Sequence, residues 1–196
     1  GREGAGRGAR AGGERERVAV SPKIFRSKRV VAGGAVSARS IHVEGGRVVR
    51  VADWADVPEG APSVDAGDAA ILPGFVDTHV HVNEPGRTEW EGFETATRAA
   101  AAGGITTIVD MPLNSIPPAT SARGVAEKAA LTEGRVQIDV ALGAGAIPEN
   151  TTGDARGLGD ILAEGARGFK CFLVPSGVDE FPFVREADVE AALAQL

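Results

Sequence analysis

The chain of 196 residues predicts an α/β protein whose parallel strands are joined by helical crossovers. Three observations carry that reading. From Ile71 onward, β-prone apolar runs alternate with helical patterns through four successive units. The helical runs place apolar residues on one stripe, the pattern of helices lying on a sheet. Upstream, residues 18–70 form a separate stretch of short β-prone runs, with a hairpin signal at Gly45-Gly46. Four βα units fit a small doubly wound sheet and also half of a (β/α)8 barrel, which repeats the unit eight times. Length does not separate the two.

Taken in order, residues 1–17 are Gly-, Arg- and Glu-rich and bury too little apolar surface to offset the entropy of ordering, so a disordered tail is expected. Val18 to Val20 and Arg29 to Val31 are brief β-prone runs. Residues 40–44 and 47–51 flank Gly45-Gly46. Residues 57–70, with two prolines and two glycines, read as a loop or linker. Residues 71–82 are the first strand of the second part. Residues 88–102 read as a helix, with Thr88 and Glu91 as a capping box and Trp90, Phe93, Thr97, Ala100 and Ala101 on one face. Gly103-Gly104 stops it. The further strands are expected at residues 105–110, 136–142 and 168–174. The further helices are expected near residues 121–132, 154–166 and 186–196, the last with Val189, Leu193 and Leu196 on one stripe.

Composition excludes several functions. The formal net charge is −6, and the basic tail contributes +2 of that, so the body is acidic and a poor electrostatic partner for nucleic acid. No apolar run reaches the roughly 18–20 residues of a membrane-spanning helix. The single cysteine, Cys171, forbids an internal disulfide and fits a reducing compartment, so a cytoplasmic location without membrane partners is expected.

The sharpest local feature is Pro73-Gly-Phe-Val-Asp-Thr-His-Val-His-Val82. On a strand, alternation directs Asp77, His79 and His81 to one face. Two imidazoles two residues apart can converge on one cation, since imidazole is a common ligand for zinc and other transition metals. They can equally be ordinary polar residues at a strand end. The chain has three histidines. The third, His42, stands alone in a β-prone run and carries no functional expectation.

Gly168-Phe-Lys-Cys-Phe-Leu-Val174 places one charge inside an apolar run. A lysine there snorkels to solvent, loses its proton or meets a fixed partner. A neutral amine can add carbon dioxide, and the resulting carbamate has two oxygens able to bridge two cations. Lys170 follows His79 by three βα units, so both are expected at the same end of the parallel strands.

These residues resemble the amidohydrolase superfamily and, within it, the cyclic amidohydrolases. The likeness covers about Phe25 to Leu196 and rests on Leu72-Pro-Gly-Phe-Val-Asp-Thr-His-Val-His81, Thr107-Ile-Val-Asp-Met-Pro-Leu-Asn114 and Gly168-Phe-Lys-Cys-Phe172. It implies that residues 71–196 are the first four βα units of a TIM-like barrel. It also implies that residues 18–70 are the N-terminal part of a small β-sandwich domain. His79 and His81 would hold one divalent metal ion, and Lys170, carboxylated by carbon dioxide, would bridge two. Zinc is the first expectation, with cobalt, manganese or iron as alternatives. The family's further ligands, two histidines and an aspartate, come from later strands. No histidine follows His81. A chain of this extent is therefore expected to be an incomplete piece, inactive alone, of an enzyme that is tetrameric when whole.

Within the family, Val82-Asn-Glu-Pro-Gly-Arg-Thr-Glu-Trp-Glu-Gly-Phe93 resembles the allantoinase branch, which implies the small molecule allantoin as substrate and allantoate as product. Dihydroorotases usually carry at position 83 an arginine that pairs with the substrate carboxylate; allantoin has none, and Asn83 is uncharged. Dihydroorotase, hydantoinase and dihydropyrimidinase activities are the alternatives, and a non-catalytic amidohydrolase-like scaffold is the alternative of another class. Asn83 and Asn114 are candidate substrate contacts, with turn residues as the equal reading. Asp77 is expected to orient a ligand, Asp110 to be structural, and Trp90 and Phe93 to be packing residues.

Overall fold

The computed structural model describes residues 23–152 and 157–196. The readings made for residues 1–17 and for Val18 to Val20 lie outside them. The chain divides into two compact units at Pro73/Gly74.

The first unit is a five-stranded sheet. Strand β1 (Lys23–Ala32) pairs antiparallel with β2 (Ala35–Glu44), and β2 pairs antiparallel with β3 (Arg47–Asp53). Gly45 and Gly46 turn the second hairpin at φ of 55° and 77°, a left-handed conformation that favours glycine. The stretch 57–70, read as a linker, instead contributes two short strands. These are β4 (Ser63–Asp65) and β5 (Ala70–Ile71), both parallel to β1. They escape a periodicity search because each is two or three residues long. Pairing of β5 with β1 also carries the division past residue 70 to Pro73. Ser27 anchors the loop between β4 and β5, donating to the Ala69 carbonyl at 2.6 Å. His42 is buried against Ser40, 3.1 Å away, as a satisfied core polar group.

The second unit holds parallel strands in chain order. Strands β6 (Phe75–Val80), β7 (Ile105–Asp110) and β8 (Asp139–Leu142) are neighbours in that sequence. The chain then passes through Gly143 into β9 (Ala144–Gly145), which pairs parallel with β10 (Phe169–Lys170). The third and fourth strands are thus shorter than the expected 136–142 and 168–174. At Gly143 the chain leaves β7 for β10: the Gly143 amide still donates to the Asp110 carbonyl at 2.8 Å, and the Ala144 amide donates to the Gly168 carbonyl at 2.9 Å.

Helix α1 (Phe93–Ala102) starts five residues later than the capping-box reading of Thr88 required. Residues 83–92 fold back as a closed loop, with the Asn83 amide donating to the Glu91 carbonyl at 2.9 Å. The helix takes its cap from outside the local sequence: Glu84 Oε2 accepts from the Phe93 amide at 3.0 Å. A carboxylate there suits the positive end of the helix dipole. Phe93 and Thr97 are fully buried, but Trp90, expected to pack, is 62% exposed because it lies on the loop and not on the helix.

Helix α2 (Ala122–Ala130) is capped by Ser121, whose hydroxyl accepts from the Gly124 amide at 3.1 Å. Two helices follow, α3 (Pro148–Thr151), which periodicity did not indicate, and α4 (Gly157–Glu164). Helix α5 (Glu186–Gln195) packs on both through Ala192 and the Gln195 side chain, which donates to the Thr151 carbonyl at 2.9 Å. The expected stripe is therefore only partly used: Leu193 and Leu196 are exposed. The core gathers Val82, Phe93, Ile108, Val125, Leu142, Leu158 and Ile161 between sheet and helices. Each such side chain contributes roughly 1.5–3 kcal/mol on full burial.

Candidate metal centre

His79 lies in β6, and His81 is the first residue beyond its end. The alternation expected for Asp77, His79 and His81 is interrupted. Asp77 pairs with Ile108 and Val80 with Asp110, so two residues of β6 oppose one of β7. This is a β-bulge, which re-aims side chains at a strand end. The Asp77 carboxylate accepts from the His79 amide at 3.0 Å, which fixes the bulged backbone and not an imidazole. The two imidazole rings lie 5.3 Å apart between centroids, tilted by 43°.

Lys170 belongs to β10, which pairs with β9 in a sheet separate from that of β6, yet its Nζ is 3.4 Å from Nε2 of His79. Its amine is also 5.1 Å from the centre of the Phe172 ring. Lys170 also lines a cavity of about 290 Å³ with Thr78, Val109, Met111, Gly143 and Phe169, and neither histidine lines it. Burial holds the Lys170 amine below the usual lysine range. Burial first, then the neighbouring Lys170 and His79, hold the His81 imidazole below its ordinary value, with a contact to the Leu113 backbone opposing. Both shifts favour neutral nitrogens with free lone pairs, the form in which an imidazole binds metal and an amine attacks carbon dioxide.

Asn114 reaches the same place from beyond β7. Its Nδ2 is 3.4 Å from Nδ1 of His81, and turning the amide over would offer Oδ1 to an N–H at that position. Asn114 has φ of 71°, a left-handed conformation that asparagine tolerates better than most residues. Arg87 steadies it, donating to the Asn114 carbonyl at 2.9 Å while pairing with Glu180 at 2.8 Å. Asn83 is buried beneath its own loop, and its amide oxygen has no hydrogen-bond partner.

Among the described residues, no three His, Cys, Asp or Glu side chains form a metal-binding group. The donor set is instead two imidazoles and one amine. That set fits a metal centre if the amine becomes an anionic carbamate, since the chemistry of a bridging ligand needs the two oxygens this adds. Another hollow, about 410 Å³ between α4, α5 and β10, is lined by Leu158, Leu162, Val189 and Leu193 and likewise holds neither histidine.

Sequence reasoning missed three ionic contacts around this centre. Lys128 and Asp110 form a pair at 2.6 Å, with side chains 2% and 1% exposed. Arg135 binds Glu84 at 2.6 Å, behind the cap of α1. Arg87 binds Glu180. The one signal in the sequence was Lys128 standing three residues after Val125, on the apolar face of α2. Desolvation pushes the Asp110 carboxyl up to about 6, with the Lys128 ammonium opposing. The structural role expected for Asp110 agrees with this burial.

The model of the amidohydrolase family matches residues 70–171, just over half of the 196 residues, and the chain belongs to that family. Among curated proteins it is similar to the mitochondrial allantoinase of Aquarana catesbeiana, 47% identical over 174 residues, covering 88% of this chain and 35% of that one. It is 48% identical over 174 residues to the allantoinase of Streptomyces avermitilis, covering 88% and 38%. Among solved structures, L-hydantoinase (dihydropyrimidinase) from Arthrobacter aurescens superposes with a TM-score of 0.77 at 29% identity, covering 87% of this chain and 37% of that one. D-hydantoinase from Bacillus sp. AR9 gives a TM-score of 0.70 at 27% identity, covering 88% and 36%. The chain spans little more than a third of the length of the curated relatives it matches.

Proposed function

We propose that this chain supplies part of the active site of a metal-dependent hydrolase that opens the ring of allantoin to give allantoate. The observation that carries the reading is the meeting of Lys170 with His79, 3.4 Å apart although they lie on the last and first strands of the unit, in separate sheets. The strands run in chain order without the reversal of a doubly wound sheet. That order supports the first half of a (β/α)8 barrel, whose chemistry gathers at the C-terminal ends of its strands. The sheet of the first unit is assigned to the N-terminal part of a small β-sandwich.

In this reading His79 and His81 would hold a divalent ion, and Lys170, as its carbamate, would complete this chain's donor set for the metal centre. Zinc is assigned first, since neutral imidazole and anionic oxygen suit it. When bound, two such ions lower the pKa of water and polarise a carbonyl. The chain's own residues prepare that chemistry. The Lys170 nitrogen forms a bond to the carbon of carbon dioxide and releases a proton to solvent, leaving an anionic carbamate. The lowered His81 imidazole stays a neutral donor. Asn114 holds His81 on one side and presents its amide to substrate on the other. Asn83 offers its unpartnered oxygen to a ureido N–H, which requires the loop of residues 83–92 to part. In the overall reaction, the ring amide C–N bond breaks, the carbonyl carbon gains hydroxyl and the nitrogen gains hydrogen.

Allantoin is preferred over hydantoin because the identities of 47% and 48% fall on allantoinases, while the hydantoinase likeness is 29%. It is preferred over dihydroorotate because position 83 is neutral. A tetramer is proposed for the full-length protein, to be checked by light scattering. The test of function is turnover by the full-length protein of allantoin, dihydroorotate and hydantoin in parallel, with metal analysis of the same preparation. About two metals per subunit and fastest turnover of allantoin are expected. Faster turnover of either other substrate rejects the substrate assignment, and absence of metal rejects the hydrolase reading.

A further inference from the structure

One buried charge cluster stands outside the donor set but touches the backbone on either side of it. Asp110 Oδ1 accepts from the amide of Val82 at 2.8 Å. Lys128 Nζ donates to the carbonyl of the same Val82 at 3.2 Å. The two partners of a single ion pair thus grip both polar groups of the residue that follows His81. The same ammonium donates to the Met111 carbonyl and to the Ser115 hydroxyl, each at 3.3 Å. Ser115 is the residue after Asn114. Val82 is 0% exposed, so neither grip can be replaced by solvent without opening the core.

Elementary energetics make the cluster a poor choice for stability alone. Removing two charges from water costs several kcal/mol per ion, and an apolar pair of the same volume is often as good or better. What an ammonium supplies that a methionine cannot is direction: it fixes several oxygens about one point. Those oxygens belong to Val82 and Met111, which flank β6 and β7 at their C-terminal ends, and to Ser115. His81 and Asn114, 3.4 Å apart at their side chains, are each one residue from a gripped group.

We infer that Lys128 and Asp110 are positioning residues for the metal centre, holding the His81 imidazole and the Asn114 amide in register with each other. The inference rests on the proposed metal reading. Neither residue touches the donor atoms. Both act through the peptide of Val82, and Lys128 acts also through Ser115. Groups that orient metal ligands from behind typically change metal affinity by about 10–100-fold.

The test uses the full-length protein, stripped of metal and titrated with cobalt(II) against a competing chelator. The informative variant is the double substitution Asp110→Asn with Lys128→Met, which removes both charges and leaves neither unpaired. Its thermal unfolding is expected to stay near that of wild type, while cobalt affinity falls about 10–100-fold and the visible cobalt spectrum shifts. A purely structural cluster would show the reverse, a changed melting temperature with unchanged affinity and spectrum, and that result overturns the inference. Ser115→Ala removes one contact and keeps the ion pair. If the double variant does not fold, a loss of cobalt affinity in Ser115→Ala supports the inference and an unchanged affinity overturns it. A wild type that binds no cobalt overturns the metal reading itself, whereas a wild type that binds it and variants that bind it equally well overturn only the role given to Lys128 and Asp110.

Discussion

The amine of Lys170 and the Nε2 of His79 are 3.4 Å apart, although 91 residues of chain separate them. Nothing local brings them together. Each sits at the C-terminal end of its strand, His79 in the sheet of β6, β7 and β8 and Lys170 in the separate pair of β9 and β10.

This contact makes Lys170 the residue whose loss is most informative. In the full-length protein, Lys170→Met keeps the volume of the stem and removes the nitrogen. Metal content is expected to fall from about two ions per subunit to one or none. Turnover of allantoin should fall by more than about 100-fold, the upper end for a group that merely supports a ligand. Metal analysis by elemental spectrometry reads the first effect directly. Two tightly held ions in Lys170→Met would remove the bridging role.

Some of this arrangement was legible in the sequence because it is written over short distances. Asp77 to Val82 and Gly168 to Phe172 are contiguous, and the alternation of β and α patterns orders their strands. The bulge between Asp77 and Val80 was not legible, because it depends on the partner strand, and periodicity describes one strand at a time. The start of α1 was misplaced for a similar reason. Its capping carboxylate, Glu84, lies nine residues before Phe93, so the Thr-x-x-Glu pattern at Thr88 was a false local match. The pairing of Lys128 with Asp110 at 2.6 Å was not legible either, because it joins a helix to a strand 18 residues away in the chain.

Asp110 gives a prediction about pH. Its carboxyl is raised in the folded protein from 3.8 to about 6 by burial, against the pull of Lys128. Between these values the folded chain binds more protons than the unfolded chain, so this group's contribution to stability declines as pH rises through the window. Above about pH 6 both states are ionised and the contribution is constant. The comparison is urea unfolding of wild type and Asp110→Asn at several pH values. The stability difference, wild type minus variant, should shrink from about pH 4 to about pH 6 and then level. A difference that grows across that range contradicts the raised carboxyl.

Arg87 should separate substrate binding from folding. It pairs with Glu180 and donates to the Asn114 carbonyl, and its guanidinium lies 5.0 Å from the Trp90 ring centre. The Arg87 side chain is 20% exposed and its loss leaves the Glu180 carboxylate without its partner, so Arg87→Met should cost roughly 1–3 kcal/mol in stability, read by urea unfolding apart from the kinetics. Asn114, no longer held in its left-handed conformation, should present its amide less well. KM for allantoin is expected to rise by roughly 3–10-fold, with kcat less affected, since an interaction lost equally from ground and transition states raises KM alone. Steady-state kinetics of the full-length variant decide this, and an unchanged KM would remove Asn114 from the substrate contacts.

Two glycines should respond oppositely to the same substitution. A Cβ at Gly145 would stand 2.5 Å from the Phe181 ring and 2.8 Å from the Thr120 methyl, closer than real contacts allow. Phe181 is fully buried and meets Phe172 edge to face at 5.7 Å, so the ring has no free direction in which to yield. Gly145→Ala should therefore cost roughly 1–3 kcal/mol by overpacking. Gly145 pairs in register with Lys170, so cobalt affinity should fall as well. Gly159 lies inside α4, where an added Cβ would meet nothing within 4 Å, and its φ is not left-handed. Gly159→Ala should stabilise by up to about 1 kcal/mol, through helix propensity and a less entropic unfolded chain. Denaturant midpoints of the two full-length variants, moving in opposite directions, are the expected result; a Gly145→Ala midpoint at or above wild type would mean that Phe181 is not confined.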